Sequence, residues 1–391
     1  MSGPRAFGCF IAVVLGATCV AGATAGGQAS TAGPGFKQVG KWGKIGTANG
    51  QFRNPFGLAT DKAGNLYVAD TDNNRIQVFS AKGAFLRKWG TTGSGNGQFL
   101  SAQDVAISPD GSVWAADYRG LRVQQFDSGG GFKQAIASSQ PTGVGLDAEG
   151  NLYVAFGPVS PGKVARFDKA SAYALAKDWG GLQYSGDVEV SPDGSVYAAD
   201  NRGLRVVRYD LDGKQQGSIK GGVSAPIGIG VDLDCNFWMG NISQRRVEKH
   251  SPTGKLLTTL STPDIVPEDI AVGPKGDLYV LGQSEVLRFA EDKAKPATAS
   301  IPGKLTAAGG VVKIAYTLSG VACPAEVGAS ATLTGTGISG KAAGLKLKAG
   351  AKNTIVMKLS KAASGKATFK IVLKTNGRPT TETRSVTVSA K

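Results

Sequence analysis

The sequence predicts an all-β chain, a six-bladed β-propeller followed by a small antiparallel β-sandwich, and three observations predict it. Glycine supplies 57 of 391 residues, roughly twice the ~7% of an average protein, so turns are many and long helices few. An aromatic-apolar strand following a glycine turn recurs six times between residues 36 and 296. Beyond residue 300, apolar and polar residues alternate with a period of two over several strands.

At the N-terminus a lone Arg5 precedes an apolar run, Ala6 to Val20, that is too short to span a bilayer and ends in small residues suited to cleavage after Ala23 or Ala25. Residues 1–25 therefore read as a secretory signal peptide. Its removal takes away Cys9 and Cys19 and leaves Cys235 and Cys323 in different domains, which implies no disulfide framework.

The repeat occupies residues 36–290. Its copies read GNLYVAD (64–70), GSVWAAD (111–117), GNLYVAF (150–156), GSVYAAD (194–200), CNFWMG (235–240) and GDLYVLG (276–282), spaced by 39 to 47 residues. A short apolar strand precedes each copy and another follows it. Strands so short cannot each bury a face alone, so the unit is a four-stranded blade stacked radially on its neighbours. The sixth copy lacks a fourth strand. FKQVGKWG (36–43) resembles the fourth strand of the first copy, GAFLRKWG (83–90), so it is expected to pair with Val286 to Phe289 and close the ring.

Residues 49–90, NGQFRNPFGLATDKAGNLYVADTDNNRIQVFSAKGAFLRKWG, resemble the NHL repeat. Copies two and four keep SPDGS, AAD and RGLRV, whereas copies three, five and six keep only the strand pattern. The resemblance implies a six-bladed NHL-like propeller of an exported bacterial type. Such propellers serve as recognition platforms and sensor ectodomains, and related ones include lyases and lactonases with metal in the central channel. Fold follows from the likeness, function does not.

Several positions invite a functional reading. Asp70 and Arg75, Asp117 and Arg122, and Asp200 and Arg205 share one spacing of five across a turn, and recurrence at blade period marks them as structural ion pairs. His250, the sole histidine, falls in the column Phe79, Phe126, Phe167, Tyr209, His250, Phe289 and reads as a core plug. Cys235 replaces the turn glycine of the other copies and reads as a surface thiol. Entering the innermost strands, Gly57, Asp104, Gly143, Asp187, Gly228 and Asp269 alternate around the ring. Asp104, Asp187 and Asp269 are thus candidate oxygen ligands for calcium in the channel; the structural alternative is that each accepts backbone hydrogen bonds. Glu189 is the one strand-borne candidate for a general base beside them. No cofactor is required and no catalytic residue is assigned.

After a linker at 291–300, residues 301–391 read as a basic, immunoglobulin-like β-sandwich. Residues 26–296 hold 29 basic and 27 acidic side chains, whereas 297–391 hold 14 and 2. Only Tyr316 and Phe369 are aromatic there, which argues against stacking on single-stranded nucleic acid and favours diffuse attraction to a polyanion, an anionic cell-wall polymer, acidic polysaccharide or anionic lipid surface; the alternative is a lysine-rich solvent face that guards strand edges and solubility. The expected protein is a monomeric, secreted or cell-wall-associated binder of a protein, peptide or carbohydrate. The alternative is a metal-assisted extracellular lyase or lactonase using the channel. A role in nucleic-acid binding conflicts with the signal peptide and the near-neutral propeller, and a ubiquitin-ligase role with the shortage of cysteine.

Overall fold

The structure, a computed structural model, describes residues 35–157, 161–220 and 225–291 and, as backbone only, strands between 298 and 390. The expected signal segment 1–25, most of the linker and Cys323 lie outside the described residues, as do the side chains of the basic C-terminal region.

Six separate four-stranded antiparallel sheets form the first part. Blade one comprises Gly57–Thr60, Leu66–Asp70, Arg75–Phe79 and Phe85–Trp89. Its second strand, LYVAD, is buried at every residue, because both of its faces pack on neighbouring blades. The outermost strand, FLRKW, alternates between half-buried and exposed, as expected at a rim. β-Branched and aromatic residues suit such strands. In blades one, three and five the turn after the inner strand is fixed by an aspartate: Asp61 Oδ1 accepts from the Ala63 and Asn65 amides at 2.9 and 2.8 Å, and Asp147 and Asp232 repeat the arrangement.

The sixth sheet draws on both ends of this region. Phe36–Trp42 pairs antiparallel with Val286–Glu291, setting Phe36 opposite Glu291 and Trp42 opposite Val286. Phe36 then meets Trp238 edge-on, ring centroids 5.1 Å apart. The seam between blades six and one is filled by Phe52, Leu58, Phe79, Tyr279, Leu281 and Val286. Ring closure is therefore a hydrophobic event as much as a hydrogen-bonded one.

Beyond the ring, eight strands from Thr298–Ser300 to Arg378–Ala390 join in one hydrogen-bonded network. Its pairs are antiparallel except Lys304–Ala308 with Arg378–Ala390, which is parallel.

Candidate interaction face and channel

Inner strands begin, and the turns between second and third strands emerge, on one face of the ring. There Asp70 closes the end of its strand: it accepts from the Arg53 amide at 2.8 Å, from Asn73, and from Gln77 Nε2 at 3.0 Å. Arg75 Nε lies 2.7 Å from Asp70 Oδ2, and its remaining guanidinium nitrogens donate to the carbonyls of Thr47, Ala48 and Gln51. The pair thus pins the long loop that enters blade one. Blade two repeats it, Arg122 Nε standing 3.1 Å from Asp117 and reaching Ser94, Gly95 and Gln98. In blade four Arg205 lies 2.8 Å from Asp200 and donates to the Gly181 carbonyl. All three aspartates are fully buried.

Blade five relocates the carboxylate. Asn241 stands where Asp70 does and Glu248 where Gln77 does; Asn241 Nδ2 and Arg246 Nε donate to Glu248 Oε1 at 3.1 and 2.8 Å. His250 completes the group, its Nε2 lying 3.1 Å from Glu248 Oε2 and its Nδ1 3.2 Å from the Gly254 carbonyl. Its ring stacks on Phe237 at 5.2 Å and 12°. Burial alone would raise the Glu248 carboxyl, but hydrogen bonds from His250, Arg246 and Asn241 outweigh it and hold the group at about 2. His250 is therefore both a plug and one end of a buried polar chain. The sequence column showed the first role only, because Glu248 lies on a different strand position from the aspartates it replaces.

The Gly/Asp alternation has a steric and hydrogen-bonding cause. Each ring aspartate spans its own amide and that of the next blade: Asp104 accepts from Val105 and Val144 at 2.7 and 2.8 Å, Asp187 from Val188 and Ile229 at 2.6 and 2.9 Å, and Asp269 from Ile270 and Leu58, both at 2.7 Å. A side chain at Gly57 would overlap Asp104; at Gly143 and Gly228 it would meet Asp187 and Asp269. A blade that supplies an aspartate therefore needs a glycine in the blade before it, and three clips fasten blade two to three, four to five and six to one.

These carboxyls line the channel and are buried. Burial raises Asp104 and Asp269 well above the usual carboxylate range, with the Asp187 charge adding to both, and burial pushes Asp187 up to about 6. One pleat further in, the ring reads Ala59, Ala106, Gly145, Glu189, Gly230 and Ala271. Glu189 is its single ionisable member; burial, then Asp187 and Asp104, raise it well above its ordinary value. At the mouth, burial lifts Glu268 to about 7. Among the described residues no group of three or more His, Cys, Asp or Glu side chains is arranged to hold a metal ion.

Cys235 departs from the sequence expectation. It is fully buried, adopts φ +56 in the turn, and is disulfide-bonded. The expected surface thiol is corrected, and so is the expected absence of disulfides. Spacing gave no sign of this, because a pairing between distant cysteines depends on tertiary proximity.

Six closed sheets around a channel define the class of protein: a six-bladed β-propeller. The chain carries an NHL repeat, whose family model matches residues 52–79. It is similar to B-box type zinc finger protein ncl-1 of Caenorhabditis elegans, 49% identical over 45 residues, which is 12% of this chain and 5% of that protein. Protein brain tumor of Drosophila melanogaster is 44% identical over 45 residues, 12% of this chain and 4% of that protein. The chain thus spans only a small part of either relative. Among solved structures, a streptogramin B lyase aligns with a TM-score of 0.51 at 12% identity, covering 68% of this chain and 100% of that one. Virginiamycin B lyase of Staphylococcus aureus aligns with a TM-score of 0.47 at 15% identity, covering 72% and 96%. At 12% identity the likeness to the streptogramin B lyase shows the fold alone.

Proposed function

We propose that this protein is an exported interaction platform whose propeller presents the loop face to a protein or peptide ligand. The observation that carries the reading is the way buried Asp–Arg pairs hold the carbonyls of the long loops on that face, so a binding surface is held rigid before any ligand arrives. The NHL repeat supports it, such repeats being generally interaction modules. Export is supported by the N-terminal apolar run and by the disulfide at Cys235, since disulfides persist in oxidising compartments. The C-terminal strands are proposed to form an immunoglobulin-like sandwich whose excess of lysine attracts an anionic cell-wall polymer. Co-sedimentation with purified cell walls at rising salt tests the anchor: retention indifferent to 0.5 M salt, where screening reaches about 4 Å, would refute it. Chemical crosslinking of the exported protein on intact cells tests the platform, with mapped crosslinks expected on the loop face.

A channel reaction is the second reading. Its support is that Asp104, Asp187, Asp269 and Glu189 repel one another in the channel; as they stand they are not arranged to hold an ion, so a divalent cation would have to draw them together. Calcium or magnesium titration against the melting temperature tests it, and a shift lost in Glu189→Gln would place the cation in the channel.

A further inference from the structure

Two leucines on the loop face occupy a backbone conformation that leucine disfavours. Leu121 has φ +54 and Leu204 φ +50, left-handed values at which a side chain with a Cβ is strained. Both lie in Arg-Gly-Leu-Arg turns, 119–122 and 202–205. The cause is local: each turn folds so tightly over Asp117 or Asp200 that a side chain on Gly120 or Gly203 would overlap the carboxylate. Blade one makes the same turn with Asn74 at φ +51, and asparagine tolerates that region and hydrogen-bonds to Thr92 Oγ1 at 3.0 Å.

Leu121 is 53% exposed and Leu204 51%, so burial offsets their strain only in part. Two turns keep an exposed apolar residue where a polar one would be more stable. That is the signature of a surface whose stabilisation comes from something else.

The surroundings state the chemistry of that something. Arg119 and Arg202 precede the two leucines and are both exposed. Arg202 lies over the Tyr184 ring, 5.4 Å from its centroid, and neither arginine makes an ion pair among the described residues. Tyr184 packs against Gly157, where a Cβ would sit 2.7 Å from its ring. Apolar, aromatic and cationic groups thus share one side of the loop face, around blades two to four.

We infer that this side of the face, carrying Arg119, Leu121, Tyr184, Arg202 and Leu204, docks an acidic polypeptide segment that also bears apolar side chains. The carboxylates of the segment pair with the two arginines and its apolar residues cover the two leucines. This rests on the interaction-platform reading and gives it a location and a class of partner.

The test uses the full chain with its disulfide intact. Random dodecapeptides displayed on phage are selected on the immobilised protein, and the strongest binder is synthesised and measured by fluorescence anisotropy. The expected sequences mix Asp or Glu with Leu, Ile or Phe. Affinity is expected to fall tenfold or more in Leu121→Asn/Leu204→Asn and in Arg119→Gln/Arg202→Gln. The melting temperature of the leucine variant should stay level or rise, as Asn suits the left-handed turn, so misfolding would not mimic the result. Selected peptides without acidic bias, or undiminished binding to both variants, would overturn this surface while leaving an interaction platform elsewhere on the ring. Failure to enrich any peptide would bring down both. Heparin or single-stranded RNA that binds the leucine variant as tightly as the natural protein, and displaces the peptide, would reassign the surface to a polyanion and overturn the inference.

Discussion

At the scale of single residues, the polar core of the blades is specified by where one negative charge sits. Blade one places it at Asp70 with a neutral Gln77, and blade five places it at Glu248 with a neutral Asn241. Either arrangement satisfies the neighbouring arginine, whereas two carboxylates together would repel without water to screen them. Asn241→Asp should therefore destabilise the protein by about 1–3 kcal/mol, and Asn241→Asp/Glu248→Gln should recover part of that loss, as measured by urea unfolding. Glu248→Ala should cost about 3 kcal/mol, since it leaves Arg246 unpaired and partly buried. An additive double variant would contradict the coupling.

At the scale of elements, the inner strands are held in register by the aspartate clips, and the same clips bring acids together in the channel. A carboxyl whose proton affinity rises on folding stabilises the folded state below its unfolded value and loses that contribution as pH climbs through the folded value. Asp187 at about 6 and Glu268 at about 7 set the window, and Asp104, Asp269 and Glu189 shift the same way. Stability should thus decline from about pH 4 to pH 8, against the rising trend of proteins whose acids are paired. Glu248, held at about 2, acts oppositely: its contribution disappears as pH falls from about 4 towards 2. The melting temperature is accordingly expected to peak near pH 4. Glu189→Gln should raise it at pH 8 and leave it almost unchanged at pH 5; equal effects at both would disprove the channel account. Gly143→Ala should destabilise by about 1–3 kcal/mol, because the new methyl meets Asp187 at 2.6 Å.

At the scale of the whole molecule, the ring depends on contacts between residues more than two hundred positions apart. Phe36–Trp42 supplies the last strand of blade six, and the amide of Leu58 donates to Asp269. Removing residues 36–42 exposes the edge of Val286–Glu291 and uncovers the Trp238 ring on which Phe36 packs. Thermal melting should drop by many degrees, and an unchanged melt would show that the ring holds without its N-terminal strand. Peptide mapping under non-reducing conditions should recover Cys235 in a disulfide. Under the proposed export, with residues 1–25 removed, Cys323 is the one other cysteine left in the sequence.

The sequence by itself determined the repeat, the six blades and the closing strand, because glycine turns and buried aromatic strands act locally and recur at a period that can be counted. It exposed the Gly/Asp alternation, but not the reason for it: Gly57 makes room for Asp104 only once two blades stand side by side. The position of the charge in blade five, the burial of Cys235 and its disulfide, and the strain in Leu121 and Leu204 were decided by tertiary structure alone. Each depends on distances between residues or on backbone angles, which local pattern leaves open and only the packing of one blade on another fixes.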